Sequence, residues 1–126
     1  MNFVTLSTEG RWTFSYDEDD FIIANRPGAN EAVQEALSNH LDDARRLTSV
    51  EWLLSEWQVV KASYPEDPIG VAFNATKATL SGVGVVTISS QYEQFDSVTI
   101  SEENFLSAVL DFRDFLSSAE GSQRES

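Results

Sequence analysis

Alternation of apolar and polar residues near the start of the chain predicts three short β-strands, over 2–8, 11–16 and 21–25. On the middle strand, three aromatic residues alternate with polar ones and share one face: Trp12, Phe14 and Tyr16. Glu9-Gly10 and the acidic segment Asp17–Asp20 suit the two connecting turns. The pattern therefore predicts a three-stranded antiparallel meander with aromatic side chains on its inner face.

Helical periodicity replaces the alternation after residue 30. Asn30 is a favourable N-cap residue, and the periodicity predicts a helix from Glu31 to about Leu47. At 100° per residue, one face collects the mostly apolar set Val33, Ala36, Leu37, His40, Ala44 and Leu47. The opposite face collects three carboxylates: Glu31, Glu35 and Asp42.

A second helix is predicted to begin at a Thr48-x-x-Glu51 capping box and to end near Ala62. Most of its apolar residues form one stripe. Trp52 and Val59 point almost the opposite way, so this helix is apolar on two sides. Such a residue is covered either by another part of the fold or by a partner, and tryptophan is enriched among the anchors of protein interfaces.

The second half of the chain predicts three further strands, over about 71–80, 83–91 and 95–100. Ser81-Gly82 and Glu93-Gln94 are candidate tight turns between them. A final helix follows. Its N-cap is Ser101, and its predicted buried stripe is Phe105, Ala108, Val109, Phe112, Phe115 and Leu116. Leu106 and Leu110 lie off that stripe, one turn apart.

The predicted order is βββ-αα-βββ-α. The simplest fold for it is a single α+β domain over residues 1–118, with an antiparallel sheet of about five to six strands and two to three helices packed on one face. Residues 119–126 form a polar tail that we expect to be disordered. No repeat at the level of residues relates the two halves.

The charge balance limits the functions open to the protein. The chain has 126 residues, with 21 Asp and Glu against 8 Lys and Arg, for a net charge of -13. Such a surface repels phosphate backbones and anionic lipid, which argues against nucleic-acid and membrane partners and favours a basic protein partner. The sequence has no cysteine, no predicted signal peptide and no apolar run long enough to span a membrane, so we expect a soluble cytoplasmic protein.

Candidate catalytic and metal-binding residues are few. His40 is the only histidine, and with Asp42 or Asp43 it could act as a general base. Its place on an apolar helix face favours instead a half-buried structural histidine with one hydrogen bond. Asp17–Asp20 lacks the alternating ligands and the glycine of a calcium loop. The sequence therefore predicts no catalytic residue, no metal site and no cofactor.

These observations together favour a binding protein over an enzyme. In size, acidity and α+β pattern the chain resembles bacterial toxin-immunity proteins, which share no motif that would transfer site residues to this sequence. The resemblance implies an inhibitor that blocks the active or substrate-binding surface of a basic, nuclease-like toxin. The charge map supplies the candidate contact residues: Asp17, Glu18, Asp19, Asp20, Glu31, Glu35, Asp42 and Trp52.

Two other functions remain open from the sequence. A small acidic secretion-type chaperone would act as a homodimer holding an effector, with Leu106 and Leu110 at the dimer interface. A ligand-binding domain or enzyme would use a pocket between the sheet and the helices, lined by His40 and paired carboxylates. The sequence leaves both a monomer and a homodimer possible.

Overall fold

The computed structural model describes residues 11–118, which form an α+β fold, as predicted. The elements follow in the order β1 (Thr13–Tyr16), β2 (Ile22–Asn25), α1 (Glu31–Asp43), α2 (Leu47–Ser63), β3 (Gly70–Ala72), β4 (Thr76–Gly82), β5 (Val85–Ser90), β6 (Val98–Ser101) and α3 (Glu102–Ser117). None of these helices is long and apolar enough to cross a membrane.

Two antiparallel sheets take the place of the single sheet that we expected. β1 and β2 form a hairpin with Phe14 opposite Ala24, and β3-β4-β5-β6 form a four-stranded meander in sequence order. The strand predicted over 2–8 lies outside the described residues. The two-sheet arrangement follows from α1, which packs against β2 and also against β4, β5 and β6.

The core lies between the helices and one face of the four-stranded sheet. Alternate residues of β4, β5 and β6 are buried on that face: Thr76, Ala78, Leu80, Val86, Ile88 and Ile100. The aromatic face of the hairpin packs on α3, as its alternation predicts. The Phe14 ring lies 5.0 Å from that of Phe112, and the Tyr16 ring lies 5.8 Å from that of Phe115.

The predicted N-caps at Asn30 and Ser101 are confirmed. Asn30 Oδ1 accepts a hydrogen bond from the amide of Ala32 at 2.7 Å, and Ser101 Oγ accepts one from the amide of Asn104 at 3.0 Å. Both side chains satisfy amides that the first helical turn leaves without a partner. α1 and α3 therefore begin where their N-cap signals place them.

The boundary between the first two helices was predicted wrongly. The backbone leaves the helix at Ala44, with φ -109° and ψ 43°, so α1 ends at Asp43 rather than near Leu47. Leu47 is the first residue of α2. The N-cap of α2 is the extended residue Arg46, which makes no capping side-chain bond, so the predicted capping box at Thr48 is wrong. Thr48 already lies within the first turn.

Strand boundaries in the second half also differ from the prediction. The segment 71–80 is divided by a tight turn in which the Phe73 amide donates to the Thr76 carbonyl at 2.8 Å, so β3 and β4 are separate strands. The turn between β4 and β5 is Val83-Gly84 rather than Ser81-Gly82. Gly84 has φ +73°, a conformation that glycine adopts without strain. Glu93, in the loop between β5 and β6, has φ 58°.

Candidate functional site

A groove of about 710 Å³ runs along the outer side of α1. β2 and the end of the acidic loop form one wall, and Ala75, Thr76 and Gln94 form the other. The floor consists of polar side chains of α1: Gln34, Glu35, Ser38, Asn39, Asp42 and Asp43. The groove therefore lies between the hairpin and the four-stranded sheet, over the helix that joins them.

One edge of β2 pairs with β1, and the other edge is held by side chains of α1. Asp42 Oδ1 accepts a hydrogen bond from the Ile22 amide at 3.0 Å. Ser38 Oγ accepts one from the Ala24 amide at 2.8 Å, and Gln34 Oε1 accepts one from the Arg26 amide at 3.1 Å. Acceptors spaced four residues apart on a helix thus match amides spaced two apart on a strand. This ladder sets the distance and the register between α1 and β2.

Four carboxylates line the groove: Asp17, Glu35, Asp42 and Asp43. None of the described residues that line it is a lysine, arginine or histidine. Asp17 Oδ1 accepts from the amides of Asp19 and Phe21 at 2.8 and 2.9 Å. Asp42 forms an ion pair with Arg45 at 3.4 Å. The lining therefore carries negative charge, and the ion pair with Arg45 offsets part of it.

Large apolar side chains are exposed on the β2 wall beside these carboxylates. Phe21 is 53% exposed and Ile23 is 40% exposed, and both line the groove. Exposed aromatic and branched aliphatic residues next to charged groups are a combination that partner surfaces use. The groove is therefore amphipathic, with an apolar wall and a carboxylate floor.

The groove is linked to the core through Asp43 and Thr76. The Thr76 hydroxyl donates to Asp43 Oδ2 at 2.7 Å, and His40 Nδ1 lies 2.8 Å from the same hydroxyl oxygen. Because the single hydroxyl proton goes to Asp43, the oxygen accepts from His40, and this assigns the proton of the neutral imidazole to Nδ1. His40 Nε2 is buried and has no hydrogen-bond partner among residues 11–118.

His40 is completely buried, not half-buried, and within the described part of the chain its side chain makes one hydrogen bond, to Thr76, as expected of a structural residue. Its ring lies 5.3 Å from that of Phe73 and 5.9 Å from that of Phe105. Burial lowers the pKa of His40 from 6.5 to about 4, and the nearby Asp43 carboxylate opposes part of this change. The imidazole is thus neutral at pH 7 and does not line the groove.

The acidic loop stands at one end of the groove and is held by Arg45, in the connection between α1 and α2. Glu18 and Asp19 are exposed, and Asp20 has φ 69°. Arg45 Nη2 donates to the Asp20 carbonyl at 2.7 Å, and its guanidinium lies 5.5 Å from the centre of the Tyr16 ring. Among the described residues, no group of three His, Cys, Asp or Glu side chains is arranged to hold a metal ion.

The other residues that the sequence singled out for partner binding or self-association lie away from the groove. Glu31 is exposed on the first turn of α1 but does not line the groove. Trp52 is 46% exposed on α2, where it makes an edge contact with Phe73 at 5.6 Å. Leu110 is 40% exposed, whereas Leu106 is partly buried against the core. Of the predicted contact residues, the groove therefore brings together Asp17, Glu35 and Asp42.

Sequence reasoning missed Ser38, Gln34, Phe21 and Ile23. The first two were detectable in part, because with Asp42 they form a polar row at four-residue spacing on α1. The exposure of Phe21 and Ile23 was not, because both lie on the predicted third strand, 21–25, and the sequence alone does not show whether another element covers their side of it.

Comparisons with known proteins add no relative: no protein-family model matches the chain, and no curated protein or solved structure matches it significantly. The groove, with its carboxylate floor and apolar wall, is therefore the feature from which a function can be inferred.

Proposed function

We propose that the protein is an immunity-type inhibitor that acts in the cytoplasm and binds a basic, nuclease-like toxin across its active or substrate-binding surface. The observation that carries the proposal is the groove, whose lining holds four carboxylates and, among the described residues, no lysine, arginine or histidine. A concave, mainly negative surface with exposed apolar side chains is complementary to a basic protein surface.

The chemistry of a nuclease explains why its inhibitor would be acidic. A protein that holds a phosphate backbone concentrates lysine and arginine around its substrate site. A net charge of -13 attracts such a surface over a distance of several ångströms and raises the rate of encounter. The exposed carboxylates of Glu18 and Asp19, at the end of the groove, would meet the partner first.

Capture from the native host, followed by purification of whichever basic protein is retained, tests the proposal. We expect a single basic partner whose enzymatic activity or toxicity the protein abolishes at a 1:1 ratio. Capture of a partner whose activity is unchanged by saturating amounts of this protein would contradict an inhibitory function.

The association rate with that partner tests the electrostatic part of the proposal. We expect the rate to fall with increasing salt. A double variant, Glu18→Gln with Asp19→Asn, is expected to slow association several-fold at low salt. The matched control changes an adjacent pair in an exposed loop elsewhere, Glu66→Gln with Asp67→Asn. Equal slowing by both double variants would mean that only net charge matters.

A further inference from the structure

The two walls of the groove differ in what they can contact. Phe21, just before β2, and Ile23, on β2, expose apolar surface on one wall, whereas Asp43 on the floor and Thr76 on the other wall are polar. A ligand that fills the groove must therefore present an apolar group to one wall and a hydrogen-bond donor or a cation to the other side. A smooth basic surface would satisfy the carboxylates but would leave the apolar wall in water.

The backbone of β2 is not available to such a ligand. The outward amides of Ile22, Ala24 and Arg26 already donate to side chains of α1. An incoming segment cannot add to this edge as a further strand, so side chains must provide the recognition.

Two of the carboxylates on the floor, Asp42 and Asp43, are held in place before any ligand arrives. Asp43 Oδ2 accepts from the Ala75 amide at 3.0 Å and from the Thr76 hydroxyl, and Asp42 Oδ1 accepts from the Ile22 amide. Glu35 lies about two turns before Asp42 on α1. It is exposed, and no described residue hydrogen-bonds to its carboxylate or pairs with it. A cation placed here meets oriented acceptors at little cost in side-chain entropy.

We propose that the groove receives a protruding segment of the basic partner, which places an arginine or lysine among Glu35, Asp42 and Asp43 and a neighbouring apolar side chain against Phe21 and Ile23. This inference rests on the proposed function and deepens it. The partner inserts into this protein at the groove, in addition to meeting the acidic loop. The occupant is a protein segment because the apolar wall requires an apolar group covalently next to the cation.

A short peptide tests this chemistry without knowledge of the partner. The probe is a blocked Gly-Leu-Arg-Leu-Gly peptide, titrated at low salt into the isotopically labelled protein and followed by amide chemical shifts. We expect saturable shifts confined to β2, the outer face of α1 and the turn before β4. Two variant peptides, one with citrulline in place of the arginine and one with serines in place of the leucines, should each bind more weakly. No saturable shift in the groove at millimolar peptide would overturn the inference.

Protein variants with matched controls locate the site. Glu35→Gln and Ile23→Thr should each weaken the peptide by about threefold, as expected for exposed charged and apolar contacts. Glu31→Gln changes the same residue type on the same helix outside the groove. Val85→Thr replaces a β-strand residue that is 39% exposed, close to the 40% of Ile23. Both controls should bind as the wild type does, and urea unfolding checks that all four variants are folded. Equal effects in variants and controls would overturn the inference.

Spermine distinguishes a peptide site from a general polycation site. If spermine displaces the peptide and Ile23→Thr does not weaken the peptide, the apolar wall has no role and the inference is wrong. If the basic partner captured from the host binds Glu35→Gln and Ile23→Thr as well as it binds the wild type, the groove inference fails while the proposed function stands. If the peptide binds the groove but the captured partner is not inhibited, the groove chemistry stands and the inhibitor function fails.

Discussion

The hydroxyl of Ser38 accepts a hydrogen bond from the Ala24 amide at 2.8 Å while donating to the Gln34 carbonyl at 2.7 Å. It is the middle member of the row of α1 side chains that replaces a neighbouring strand for β2. On either side of it along this edge, Asp42 accepts from the Ile22 amide and Gln34 accepts from the Arg26 amide. The edge of the hairpin is thereby covered, and one wall of the groove is fixed to its floor.

Replacing Ser38 with alanine should destabilise the fold by about 1–3 kcal/mol, because the part-buried Ala24 amide would lose its acceptor. Urea unfolding measures the effect. Ser55→Ala, at an exposed position in the middle of α2, is the control and should be neutral or slightly stabilising, since alanine is the better helix former. Equal stabilities for the two variants would show that the ladder does not hold β2.

The stability of the protein should depend on pH through His40. Its pKa is about 4 in the folded state, lowered chiefly by burial, and 6.5 in the unfolded chain. Between these values the unfolded state binds the proton and the native state does not, so stability is complete above pH 6.5 and falls as the pH decreases toward 4. The full loss is about 3 kcal/mol.

Urea unfolding of wild type and His40→Gln between pH 7.5 and 4 measures this contribution. The carboxylates titrate in both proteins, so the difference between the two curves isolates the histidine. We expect the wild type to lose more stability than the variant across the range. Parallel curves would mean that His40 is accessible to protons in the folded state.

Thr76 joins the groove to this buried histidine and should be sensitive to loss of its hydroxyl. Thr76→Val keeps the shape of the side chain but leaves the Nδ1 proton of His40 without an acceptor, at a cost of about 1–3 kcal/mol. Thr99→Val, at an exposed position on β6, should change stability by less than about 0.5 kcal/mol. Calorimetric melting of both variants provides the comparison, and a similar small shift in both would contradict the proposed hydrogen-bond chain.

Local sequence signals predicted where α1 and α3 begin, but not where α1 ends, where α2 begins or that 71–80 holds two strands. Asn30 and Ser101 are N-caps that act within their own helices, so the sequence was sufficient for both. The apolar period of α1 continues through Ala44 to Leu47, and only the backbone of Ala44 shows that Leu47 belongs to the next helix. Periodicity cannot detect a break between two helices whose buried faces are in phase.

The candidate site was harder to predict from the sequence, because it depends on contacts between elements. Asp42 was identified from charge alone, as a residue that a partner would contact. In the fold it also accepts the Ile22 amide and pairs with Arg45, so it has a structural role as well. The match between residues of α1 and amides of β2 is a tertiary register, which no single segment encodes.

Gly70 should not tolerate a side chain, because a Cβ added there would overlap the backbone carbonyl of Ala78 on the neighbouring strand β4. We expect Gly70→Ala to lower the free energy of unfolding by about 1–3 kcal/mol. Gly82→Ala is the control, since a Cβ there would lie 3.7 Å from Val85 Cβ, an ordinary contact. Urea unfolding of the two variants decides, and a Gly70→Ala protein as stable as the control would contradict the close approach of β3 and β4.

Arg45 should affect stability and binding in opposite directions. It holds the Asp20 carbonyl and pairs with Asp42 at the edge of the groove, so Arg45→Gln should destabilise the fold by about 1 kcal/mol. The same change removes the cation that competes for Asp42. The Gly-Leu-Arg-Leu-Gly peptide should therefore bind the Arg45→Gln variant more tightly than it binds the wild type. Arg46→Gln makes the same change in charge at the next, exposed residue, which does not line the groove. If only Arg45→Gln binds the peptide more tightly at low salt, the gain in affinity comes from the release of Asp42. An equal gain in both variants would mean that it comes from the change in net charge.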